Sequence, residues 1–176
     1  IRDLVRSRGL GDVYKRQAGW MLSKPISRWQ YLTAKVIVLF AVVIAGLYIC
    51  SALAYLYTMT LIGEAPLAGS IMATTALVAY TLLLATLTFT FSTLLKSQLA
   101  AGGLAVVVFF LSGLLNLVVA ETAAADFYPN TLLALMKPLI EGTAAPSAVA
   151  GPLTVTLLLI LLLFLLAGNR FSRMEL

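Results

Sequence analysis

The chain has 176 residues, 61% of them hydrophobic and only 11% charged, with a mean hydropathy of +1.02; soluble domains average about 45–50% apolar and about 25% charged, and could not hide this much apolar surface from water. The formal net charge of +5 does not make a nucleic-acid surface, because the basic residues are scattered at the ends of apolar runs rather than gathered on one stripe. With no histidine and a single cysteine, histidine metal sites, histidine general bases, Ser-His or Cys-His dyads and an internal disulfide are excluded within the chain.

Residues Ile1 to Gln17 carry five of the twelve basic residues, and the composition changes abruptly after them. DVYKRQ (Asp12 to Gln17) resembles the translation of a transposon end used in sequencing libraries, which makes 1–17 a non-native prefix to be set aside. The other reading is a basic cytoplasmic tail. It is not a signal peptide, since no apolar core with a small-residue cleavage site follows the positive charges. Native sequence is then expected to start near Ala18, leaving the chain without its natural beginning. Without the prefix, Lys24, Arg28, Lys35, Lys96, Lys137, Arg170 and Arg173 stand against Glu64, Glu121, Asp126, Glu141 and Glu175, and the basic excess largely disappears.

Ala18 to Lys35 reads AGWMLSKPISRWQYLTAK. Pro25 biases Lys24 toward extended or turn backbone. Ser27 can cap a helix beginning near Arg28, on which Trp29, Leu32 and Val36 share a face. This pattern predicts a short amphipathic helix lying at the membrane interface.

Four uncharged apolar runs follow, at about 36–62, 68–95, 99–120 and 150–168. Each is long enough, at about 1.5 Å per residue, to cross a hydrocarbon core of about 30 Å. The first contains Cys50, read as a small buried apolar residue, and Tyr55 and Tyr57, which suit an interfacial aromatic belt. Pro66 and Gly69 mark the turn into the second run. That run is rich in hydroxyls, including Thr74, Thr75, Thr81, Thr86, Thr88 and Thr90. These can bond back to their own helix or face other helices or a polar path; helix packing is preferred, with Thr81 and Thr88 as candidates. In the third run, Ala100, Ala101, Gly102 and Gly103 allow close helix approach, and Asn116 is a strong polar group expected to bond a neighbouring helix, or less simply to meet a substrate. Residues 121–149, with Pro129, Pro138 and Pro146, read either as short interfacial or re-entrant helices or as a plain extracytoplasmic loop. The last run, Leu-rich and uninterrupted, is expected to meet lipid. A charge at mid-membrane costs about 2.5–3.5 kcal/mol on the insertion scale, and all four runs avoid it.

Four spans put both ends on one side. Lys24, Arg28, Lys35, Lys96, Arg170 and Arg173 fall there, and Lys137 alone falls opposite. The positive-inside rule makes that side cytoplasmic.

LSKPISRWQYLTAK resembles the cytoplasmic segment that joins the second and third spans of type-2 ABC exporter permeases, through Leu22, Pro25, Ile26, Ser27, Arg28, Leu32 and Lys35, with Gly19 just upstream. Such permeases typically have six spans, four after this motif, and a span-poor region before the last. The resemblance therefore implies an all-α polytopic membrane protein holding the last four of six spans: a coupling segment at 18–35 and a transmembrane permease domain at 36–176. It further implies export of an unidentified substrate across the bacterial inner membrane, a second permease subunit, homo- or heterodimeric, and a separate ATP-binding cassette ATPase that the coupling segment contacts. Leu22, Lys24, Pro25, Ile26, Ser27, Arg28, Trp29, Leu32 and Lys35 would carry that contact. The chain has no Gly-rich phosphate loop ending in Lys-Ser/Thr, so it is expected to bind no ATP, hold no cofactor and be no enzyme itself. For Lys24, Arg28 and Lys35 the plainer roles are topology and contact with anionic lipid. The alternative function is a non-transport assembly or anchoring subunit, which the lack of intramembrane charge suits.

Overall fold

The computed structural model describes residues 28–61, 63, 66–95 and 97–172, with the side chains of residues 28, 171 and 172 excepted. Four long apolar helices dominate: α1 (Arg28–Leu61), α2 (Leu67–Leu94), α3 (Gln98–Val119) and α5 (Ala150–Ser172). Between α3 and α5 lie a 3₁₀ turn (Ala123–Phe127), the ten-residue α4 (Thr131–Ile140) and a second 3₁₀ turn (Pro146–Val149). All four long helices are long and apolar enough to cross a membrane.

The helix limits follow local chemistry. Pro66, in extended backbone, precedes α2, where its missing N–H is not needed by the helix. The Ser97 hydroxyl accepts a hydrogen bond from the Ala100 N–H at 3.4 Å and caps α3. α1 departs from the expected boundaries. It runs unbroken through Lys35, so residues 28–35 are its first two turns rather than a separate helix lying in the interface. The physical reason is that a charge ends an apolar run without ending a helix. Lys35 places its ammonium over the Tyr31 ring, 4.5 Å from the centroid, one turn back on the same face. At about 1.5 Å per residue α1 is about 51 Å long, so about 20 Å of it exceeds the hydrocarbon core.

α2 is the central helix. It packs against α1, α3, α4 and α5, and 39% of its most apolar window is buried against 6% for α1 and α3. Its small residues explain this position. Ala73, Ala76 and Ala79 are buried and, with Tyr80, meet Leu132 and Leu139 of α4 and Val149. Without a hydrophobic drive between helices in lipid, such close backbone approach supplies the packing energy. A second cluster joins Val78 and Leu82 of α2 to Ile160 of α5, with Phe40, Val43 and Leu47 of α1 against it.

α4 lies alongside the first half of α2. The Tyr80 hydroxyl donates to Asn130 Oδ1 at 2.6 Å, and Tyr80 stands at the midpoint of α2. Nine residues after Asn130, the Leu139 carbonyl crosses α2 at Gly69, where a Cβ would collide with it. Just before α4, the Tyr128 hydroxyl donates to the Ser112 carbonyl of α3 at 2.8 Å. The chain between α3 and α5 therefore reaches half-way down the bundle and returns. Cys50 also differs from expectation: it is exposed, because α1 turns most of its surface outward.

Candidate functional site

Of the residues expected to contact an ATPase, Leu22, Lys24, Pro25, Ile26 and Ser27 lie outside the described residues. Arg28 opens α1, and Trp29, Leu32 and Lys35 occupy its first two turns. Leu32 and Val36 are buried, at 2% and 7% exposure, whereas Lys35 points outward. Of the face shared by Trp29, Leu32 and Val36, the chain itself covers Leu32 and Val36 and leaves Trp29 40% exposed. Trp29 packs edge-on against Phe164 of α5, with centroids 6.1 Å apart and ring planes at 67°. Its indole also lies over Gly168, one turn further along α5, where a Cβ would overlap the six-membered ring. Ala167 beside it is fully buried.

The interhelical hydrogen bonds set the register that brings these residues together. Tyr48 and Thr75 hydroxyls meet at 2.9 Å, and Ser51 meets Thr74, which aligns α1 antiparallel to α2. Thr90 Oγ1, which donates to the Thr86 carbonyl at 2.8 Å, also lies 3.3 Å from the Leu163 carbonyl, and with Val78 and Leu82 packed on Ile160 this aligns α5 parallel to α2. Carrying both registers to the end of α2 brings Trp29 and Gly168 to one level. Neither Gly168 nor Phe164 stood out in the sequence, because no local pattern links the start of α1 to the end of α5.

The three candidates for packing or pathway do not converge. Thr81 and Thr88 are half-buried, and their hydroxyls donate to the Leu77 and Leu84 carbonyls one turn back, at 2.8 and 2.9 Å. Asn116 is half-buried on α3 and takes part in none of the interhelical bonds described above. Helix-to-helix contact is made instead by other hydroxyls, those of Thr74, Thr75 and Thr90.

At the opposite end from Trp29, α1, α2 and α4 line an open groove of about 320 Å³. Leu47, Leu77, Met136 and Ile140 supply apolar walls, and Ser51, Tyr55, Thr58, Ser70 and Thr74 supply hydroxyls. Among the described residues no charged side chain lines it. No cluster of carboxylates or cysteine able to hold a metal occurs among the described residues.

The four long apolar helices among the described residues define a multi-pass membrane protein. A family model described as ABC-2 family transporter protein matches residues 20–176, which includes the motif at 22–35 and all four long helices; the chain belongs to that family and is a membrane-embedded permease subunit of an ABC transporter. Searches of curated proteins and of solved structures return no match.

Proposed function

We propose that this permease exports its substrate with energy from ATP hydrolysed by a separate ATPase subunit, and that residues 18–35 are the surface that subunit contacts. The observation that carries the reading is the continuity of α1 from the motif into the span. A helix is stiff over this length, so a push on the segment before Arg28 becomes a movement of the whole first span. In the proposed arrangement the start of α1 and the end of α5 face the cytoplasm, in a bacterial inner membrane, with a second permease subunit completing the pathway. Lys24, Arg28, Lys35, Lys96, Arg170 and Arg173 on that side support the orientation. The chain carries no phosphate-binding loop motif of its own, which supports placing ATP on the partner. Membership of a transporter family favours this reading over an assembly or anchoring subunit.

The test is co-purification of the permease with the ATPase encoded beside it, using the wild type and the double variant Pro25→Ala/Arg28→Ala. The wild type is expected to retain the ATPase through detergent extraction. The double variant is expected to lose at least nine-tenths of it while reaching the membrane in equal amount. Undiminished binding by the double variant would sink the contact role of the segment.

A further inference from the structure

We infer that Gly168 is a positioning residue: it forms the notch in which Trp29 seats the start of α1 against the end of α5, so that the first and last spans move as one body. Three observations meet at this point. The Trp29 indole lies where a Gly168 side chain would be. The same ring packs edge-on against Phe164, one turn earlier on α5, a geometry that aromatic rings favour. Leu32 and Val36 on the same face of α1, and Ala167 next to Gly168 in the chain, are buried, at 2%, 7% and 1% exposure, while Trp29 keeps 40% of its surface exposed. Elsewhere α1 exposes most of its surface, with only 6% of its most apolar window buried. α1 also packs through Phe40, Val43 and Leu47 on the cluster that holds Ile160 of α5, but the Trp29 contact lies where a displacement of the preceding segment would enter. Without the notch, a tilt of α1 would slide past α5; with it, α5 follows.

The inference rests on the reading of residues 18–35 as the ATPase contact, and its test separates the two. In the assembled complex, Gly168→Ala is expected to lower the permease-dependent part of ATP hydrolysis at least threefold while the ATPase remains bound. Trp29→Ala/Gly168→Ala is expected to be no worse than Trp29→Ala, because without the indole the added methyl meets nothing. In a Cys50→Ala background, Trp29→Cys/Gly168→Cys is expected to lose hydrolysis similarly and to regain at least half of it when a short thiol crosslinker bridges the pair. Bridging should proceed equally with and without ATP plus vanadate.

Wild-type hydrolysis per assembled Gly168→Ala complex would overturn the inference. So would penalties that multiply in the double variant, bridging confined to one nucleotide state, or further loss on bridging. Failure of the ATPase to bind the wild type would instead remove the ATPase contact. Bridging in membranes without the ATPase would still report whether the two positions adjoin.

Discussion

Tyr80 and Asn130 meet at the midpoint of α2, where water is scarce and a lone amide or phenol is costly. Their bond is the polar contact that fixes how far the chain after α3 descends. Tyr80→Phe leaves Asn130 Oδ1 without this donor and is expected to cost roughly 1 kcal/mol of stability. Adding Asn130→Ala to Tyr80→Phe should cost little more than Tyr80→Phe alone, since the bond is already gone. Thermal unfolding of the purified protein in detergent checks both, and fully additive losses would contradict the pairing. The hydroxyls of α2 show what single residues can and cannot announce. Back-bonding by Thr81, Thr86 and Thr88 follows from a threonine's reach to the carbonyl one turn earlier. That Thr74 and Thr75, rather than Thr81 and Thr88, meet α1 depends on which face α1 covers, and composition does not encode this. The notch at Gly168 was illegible for the same reason: a glycine after a Leu-rich run looks like the end of a span.

α2 at Leu67–Leu94 and α3 at Gln98–Val119 lie one residue from the apolar runs at 68–95 and 99–120, whereas α1 begins at Arg28, ahead of its run at 36–62, and α5 continues to Ser172, past its run at 150–168. Avoiding charge in hydrocarbon is a strong constraint, so the gaps between charges report the spans. α1 marks the limit of that rule. Lys35 stands on the part of the helix beyond the apolar length needed to cross, where its charge meets Tyr31 and solvent and does not break the backbone. For residues 121–149, prolines and an apolar cluster signalled short helices, but their depth had to come from the contacts of Asn130 and Tyr128. Gly69 lets α4 dock, because the Leu139 carbonyl occupies the space a side chain would need. Gly69→Val is therefore expected to lift α4 off α2. In a Cys50→Ala background, a cysteine at Leu139, which is 1% exposed, should react slowly with a maleimide, and at least tenfold faster once Gly69→Val is added. An unchanged rate would show that α4 does not depend on this close approach.

For the whole molecule, the proposed orientation makes α4 and its Lys137–Glu141 pair, 3.8 Å apart and exposed, face the outside, and Arg170 face the cytoplasm. Lys137→Cys in a Cys50→Ala background should react with a membrane-impermeant thiol reagent added to spheroplasts, and Arg170→Cys should react only after lysis. The opposite pattern would invert the topology. The ATPase contact is assigned to the segment that leads into α1, and a photo-crosslinking amino acid at Lys24 probes it in place. Irradiation in native membranes is expected to give an adduct of permease and ATPase, absent when the same group stands at Lys137. No ATPase adduct from Lys24, with the ATPase present and active in those membranes, would contradict that assignment.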